Sequence, residues 1–353
     1  MILLAALLAC QDDGTPRSSD ATGSAGRVLI IGLDGARAEA LELADTPHLD
    51  TLRASGAADM NAITGDVSLS GPGWASMLSG VWCDKHGVVD NDVSWAQSRF
   101  DQYPHFIHYA KQQRPGLRAV SVSHWAAIND EIVCADEAAG QCSGADRVVN
   151  AQSDAAVRDV VVEELSAENP GIIFAQFDDI DHAGHGDAET MAAGGFCPYA
   201  SGDIAEGEHS GACTALNYNP AYLAAITTTD GYIGDILRAL RARPAFDEED
   251  WLIMVAPDHG GAGVVFNQHG FPADQDRRTF LILHGAGAES FPADVRSKSV
   301  DIAATALFHL AVTVPDAAAL DGQVIGLQGA PSYVDREIPS CYDPGVFAPD
   351  SGR

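Results

Sequence analysis

The chain has 353 residues, with 50 Asp+Glu against 20 Lys+Arg, and a formal net charge of −30. Hydrophobic residues make up 46% and charged residues 20%, a globular balance that excludes wholesale disorder and suits one large α/β unit or about two domains. So large an acidic excess excludes nucleic-acid binding through a basic face, but not small anionic substrates, because a bound metal ion reverses the local field.

The first ten residues, MILLAALLAC, form an apolar run of signal-segment length, too short to span a bilayer. They resemble a bacterial lipoprotein signal, with Leu7-Leu8-Ala9-Cys10 where cleavage leaves an acylated cysteine. That resemblance implies export to the periplasm or cell surface, with the lipid anchor at Cys10 as the one membrane contact. Residues 11–26 have the Gly- and Ser-rich chemistry of a flexible linker. RVLIIGL (27–33) then reads as a buried parallel strand that delivers Asp34-Gly35 to a loop. Thr46-Pro47 supplies an N-cap and first turn for a helix that stops at Gly56. Ser70-Gly71-Pro72 opens a second helix, ending near Gly80, with the Ser70 hydroxyl just ahead of the first turn. Further strands are LRAVSVS (117–123), GIIFAQF (171–177), WLIMVAP (251–257) and TFLILHG (279–285). Helical spacing marks 152–167, 220–242 and 301–311.

Strands separated by helices predict an α/β fold with parallel strands, and in such sheets ligands bind beyond the carboxyl ends of the strands. The expected organisation is a catalytic domain over 27–335, with loop-rich insertions near 84–149 and 186–219, and a tail over 336–353. With Cys10 set aside, six cysteines remain, an even number that fits an oxidising compartment. Cys134 with Cys142 and Cys197 with Cys213 lie close in sequence and are expected to pair, leaving Cys83 with Cys341.

Metal-type side chains gather where the predicted strands end: Asp34, then Asp181 and His185 in DHAGH, Asp258 and His259 in PDHGG, and His269 in QHGF. Carboxylate and imidazole in this number suit zinc or a similar divalent ion. Asp181 and His185 are four apart, so one helical turn puts both on one face. Ser70, beside exposed N–H groups at a helix start and near a cation, fits a nucleophile.

These motifs, in this order, resemble the alkaline phosphatase superfamily, and most closely its branch of type I phosphodiesterases and nucleotide pyrophosphatases. VLIIGLDG matches the family's first strand and acidic ligand, and Ser70-Gly71-Pro72 through Ser79-Gly80 its nucleophile helix. KHGVVDN matches the stretch ending in a phosphoryl-binding asparagine, here Asn91, and SVDIAATAL the closing helix. The resemblance implies a three-layer sandwich with a largely parallel central sheet flanked by helices. It also implies two zinc ions, with manganese or iron as substitutes, about 4 Å apart. Asp181, His185 and His269 would hold one. Asp34, Asp258 and His259 would hold the other, with Ser70 reaching toward it. Ser70 would form a phosphoserine, with Asn91 and the Gly71 N–H steadying the equatorial oxygens.

The implied partner is a small phosphate ester or related anion. The family usually carries Thr as nucleophile and Asn-His after the proline, where this chain has Ser70 and Gly73-Trp74. Sulfatases need an arginine that SGPGW lacks. Phosphomonoester or phosphonate hydrolysis on the same cage is the alternative enzyme reading, and an exported binding module that kept the fold is the non-enzymatic one. Trp74, Trp82, Trp95 and Trp125 are expected mainly to pack, and Arg37 and Lys85 to be surface charges.

Overall fold

The computed structural model describes residues 26–135, 142, 144–185, 220–261, 269–285 and 287–343. The signal-type run, nearly all of the linker, the 186–219 segment and the Cys197–Cys213 pair lie outside the described residues.

Seven strands form one sheet: β1 (Arg27–Leu33), β2 (Ala57–Ile63), β3 (Arg118–Ser123), β4 (Arg147–Asn150), β5 (Pro170–Phe177), β6 (Trp251–Ala256) and β7 (Arg278–Gly285). Their spatial order is β2-β7-β6-β1-β5-β3-β4, and the run from β6 to β4 is parallel. β1 shows why the apolar runs are continuous. Val28 and Ile30 enter one core, with the helices Ser70–Ser79, Phe106–Gln113 and Asp301–His309. Leu29, Ile31 and Leu33 enter the other, under Pro47–Ser55, Asp154–Ala167 and Pro220–Arg241. Period-two alternation thus feeds two apolar layers, and each fully buried Val, Leu or Ile contributes about 1.5–3 kcal/mol. The result is the three-layer sandwich.

The sheet departs from the sequence reading in three places. β7 is antiparallel to β6, so its end lies at the opposite edge, where His284 Nδ1 is 3.2 Å from Ser55 Oγ. β2 and β4, which carry no long apolar run, are the two edge strands, and most of their residues are only partly buried. The later part of the 84–149 segment supplies a core helix, Phe106–Gln113, together with β3 and β4, so it belongs to the sandwich itself.

Two expected disulfides, Cys83–Cys341 and Cys134–Cys142, are present. The first ties the tail to the turn after the Ser70 helix, and Asp66, ahead of that helix, accepts hydrogen bonds from Ser340 Oγ and the Cys341 and Tyr342 N–H groups. The Thr46 side chain makes no capping bond to the Pro47–Ser55 helix. Asp230, on the Pro220–Arg241 helix, accepts the His48 and Leu49 N–H groups instead, at 3.1 and 2.8 Å. Tertiary packing provides the cap that local sequence predicts.

Candidate metal centre and nucleophile

The parallel strands β1, β5 and β6 bring their carboxyl ends to one edge. There β1 delivers Asp34, β6 delivers Asp258 and His259, and β5 leads into the helix Asp179–His185. Backbone bonds lock the ends together. Asp34 N–H donates to the Phe177 carbonyl at 2.9 Å, and Gly35 N–H donates to Asp258 Oδ1 at 3.2 Å.

The inner cluster is Asp34, Asp258 and His259, all buried. His259 Nδ1 lies 2.8 Å from the Gly260 carbonyl, which can only accept, so the ring proton sits on Nδ1 and Nε2 presents a lone pair. Asp34 Oδ1 and Asp258 Oδ2 each stand 3.5 Å from that Nε2, and neither has a hydrogen-bond partner among the described residues. Ser70 Oγ is 3.4 Å from the same nitrogen. Two orphaned carboxylate oxygens, an imidazole lone pair and a hydroxyl therefore converge, and the Ser70 hydroxyl, with its one proton, can satisfy only one of the other three. Burying such a set is costly unless a cation lies among them. Burial, then the charge of Asp258, pushes the Asp34 carboxyl well above the usual range, and burial followed by Asp181 does the same to Asp258. A divalent ion removes that conflict, so these residues fit the metal that the ligand types imply.

The outer cluster is Asp181, His185 and His269. Asp181 and His185 share one face of their helix, as their spacing predicts, with Oδ2 and Nε2 3.0 Å apart. His269 Nδ1 is 3.0 Å from the Ser68 carbonyl, which leaves its Nε2 facing His185 Nε2 at 3.1 Å and Asp181 Oδ1 at 3.8 Å. Burial and then His259 lower the His269 imidazole to about 3, so it is neutral and ready to ligate. Burial alone would raise Asp181, but the His185 hydrogen bond and the nearby imidazoles bring it to about 2. The His259 and His269 rings stack with centroids 3.8 Å apart, joining the two clusters.

Ser70 is the first residue of its helix rather than the cap, which is Leu69 in extended conformation. No side-chain capping bond consumes its hydroxyl. Gly71 N–H donates to Asn91 Oδ1 at 2.7 Å, so that N–H, expected to meet substrate, instead fixes Asn91. A Cβ on Gly71 would lie 2.5 Å from the Asp90 carbonyl oxygen, and only glycine admits the 90–95 turn this close.

The sequence reading missed the donors behind the ligands. Trp74, wholly buried, donates its indole N–H to Asp34 Oδ2 at 2.9 Å, and Gln176 Nε2 donates to the same oxygen at 3.1 Å. The Trp74 ring reaches that position by lying against Gly32, where a Cβ would come within 2.4 Å of it. Asp154 accepts the Asp178 and Asp179 N–H groups and so caps the helix that carries Asp181 and His185. No local pattern marks these partners; each is distant in sequence. Trp82 packs in the core, and Trp95 and Trp125 stand 6.4 Å apart beside Asn91, whose carbonyl accepts the Trp95 indole N–H. Lys85 pairs with Asp321 and Arg37 with Glu39, as structural charges.

Sheet order, strand-end ligands and a buried serine together define an alkaline-phosphatase-superfamily fold. The profile of the type I phosphodiesterase / nucleotide pyrophosphatase family matches residues 28–282, well over half the chain. The chain belongs to that family, which is one of metal-dependent phosphate-ester hydrolases, and its described residues hold two candidate metal-binding groups at the strand ends. Among solved structures it is similar to murine ectonucleotide pyrophosphatase / phosphodiesterase 5, solved as an inactive variant with AMP, at 13% identity and a TM-score of 0.55 over 82% of this chain and 96% of that one. It is also similar to a 2-O GAG sulfatase, at 17% identity and a TM-score of 0.63 over 85% and 73% of the two chains. A putative sulfatase from Bacteroides thetaiotaomicron VPI-5482 matches at 16% identity and a TM-score of 0.64, over 89% and 76%. At these identities the likeness shows the fold alone. No curated protein matches the sequence.

Proposed function

We propose that the protein is a two-zinc phosphodiesterase of nucleotide-pyrophosphatase type that works through a phosphoserine at Ser70. The observation that carries this reading is the meeting of Asp34 Oδ1, Asp258 Oδ2 and Ser70 Oγ around the His259 Nε2 lone pair. Asp34, Asp258 and His259 would hold one ion, and Asp181, His185 and His269 the other. When bound, the ions supply Lewis acidity and cancel the carboxylate field that otherwise repels an anionic ester. Ser70 Oγ gives up its proton to solvent and attacks phosphorus, its bond forming as the leaving oxygen departs and takes a proton from solvent; water then cleaves the phosphoserine, its oxygen passing to the phosphate and a proton returning to Ser70 Oγ. Asn91 is held by the Gly71 N–H through Oδ1, which leaves its Nδ2 as the end that can donate to a phosphoryl oxygen. The disulfides support an exported location, with the anchor proposed at Cys10.

The test assays chelator-stripped protein on an aryl phosphodiester, an aryl phosphomonoester and an aryl phosphonate, before and after zinc is restored. Diester turnover that returns with zinc is expected. Preference for monoester or phosphonate would move the assignment to the alternative that the serine nucleophile allows, and zinc uptake without any turnover would favour a binding module. Ser70→Ala should lower turnover by at least about 10³-fold with zinc content nearly unchanged.

A further inference from the structure

Gln176 is fully buried on β5, between Gly32 of β1 and Ser123 of β3. Its Oε1 faces three groups from one turn: the His124 N–H at 3.0 Å, the Trp125 N–H at 2.9 Å, and Ser123 Oγ at 3.0 Å, whose single proton is shared with the Trp125 carbonyl. Two of these are backbone N–H groups and can only donate, so the amide is held in one orientation. Its Nε2 must then face the strand ends, where its two hydrogens meet Asp34 Oδ2 and Asp178 Oδ1, each at 3.1 Å. Those carboxylates end adjacent parallel strands, and the amide stands as a donor between them. With Trp74 also on Asp34 Oδ2, the oxygen left without a partner is Oδ1, the one facing His259.

We infer that Gln176 is a positioning residue for the inner cation: it selects Oδ1 of Asp34 as the ligand atom and keeps Asp178 out of the cage. This rests on the two-zinc reading above. It also resolves the acidic run Asp178-Asp179-Ile180-Asp181, in which sequence alone offers three carboxylates for one role. Asp178 is spent on Gln176, Asp179 faces His124, and Asp181 ligates. The hydrogen-bond partners of metal ligands typically set metal affinity by about 10–100-fold.

The test titrates zinc into chelator-stripped protein against a competing chromophoric chelator, with far-UV circular dichroism to confirm folding. Asp258→Asn identifies which of the two binding steps belongs to the inner cluster. In Gln176→Met the inner step should weaken about 10–100-fold while the outer step stays within about threefold of wild type. Inner and outer steps that weaken together would mean a merely structural role, and two unchanged steps would mean none; either overturns the assignment. If Gln176→Met does not fold, Asp178→Asn decides. Two zinc ions bound within about threefold of wild type support the assignment, and loss of one makes Asp178 a ligand and overturns it. Wild-type protein that takes up no zinc removes the two-zinc reading itself, an outcome distinct from a normal wild type with an indifferent variant.

Discussion

The two ligand clusters share a chemistry but not an environment. Asp34, Asp258 and His259 stand at strand ends, are at most 1% exposed, and are fixed by hydrogen bonds from the Trp74 indole and the Gly35 N–H and to the Gly260 carbonyl. Asp181 and His185 ride on a seven-residue helix, and the His185 side chain is 53% exposed. A sheet edge positions ligands rigidly because each strand end is locked by its neighbours, whereas a short helix depends on its cap. The inner cluster is therefore the more rigidly held, and the outer one presents one of its three residues, His185, to solvent.

The strongest challenge to that contrast compares ligand deletions. Asp258→Asn should lower turnover on the order of 10³-fold or more and resist rescue by added zinc. His185→Ala should lose on the order of 10²-fold and recover when zinc is raised to millimolar levels. Equal losses and equal rescue would erase the distinction.

A smaller effect probes the support beneath the inner cluster. Gly32→Ala pushes a methyl into the Trp74 ring and should cost about 1–3 kcal/mol in urea unfolding, as overpacking does. Gly116→Ala, where a Cβ would meet nothing within 4 Å, serves as the control and should be nearly neutral. A matching loss at both positions would separate Trp74 from the packing argument.

The smallest expected effect lies at the far edge of the sheet, just before β6. There the Arg243 hydrogen bonds outweigh burial and hold the Glu249 carboxyl at about 2. A carboxyl depressed on folding adds stability that is complete above its ordinary value of 4.5 and disappears as pH falls toward about 2. Glu249→Gln should cost about 1 kcal/mol at neutral pH and flatten the acid limb of the stability curve in that window. Here a buried carboxylate is satisfied by arginine; at the inner cluster two oxygens are satisfied by nothing in the described chain.

Much of this was legible in the residues. The apolar runs at 27–33, 171–177 and 251–257 became β1, β5 and β6 with ends shifted by at most a residue, because two buried faces require an unbroken hydrophobic string. The helix predicted over 220–242 spans Pro220–Arg241. Every candidate carboxylate and imidazole falls in one of the two clusters, and Ser70 lies at hydrogen-bonding range of His259 in the inner one. The edge strands β2 and β4 escaped notice because a half-covered strand leaves a weak apolar signal.

Local order along the chain thus determined the strands, the ligand types and their sequence of appearance, since periodicity and residue chemistry act over a few neighbours. Tertiary structure alone decided the rest: that β7 runs antiparallel, that Asp230 and Asp154 cap helices far from themselves in sequence, and that Trp74 and Gln176 meet on one oxygen of Asp34. Gln176 and Asp34 are separated by 142 positions, and a hydrogen bond over that distance exists only once the sheet has brought their strands side by side.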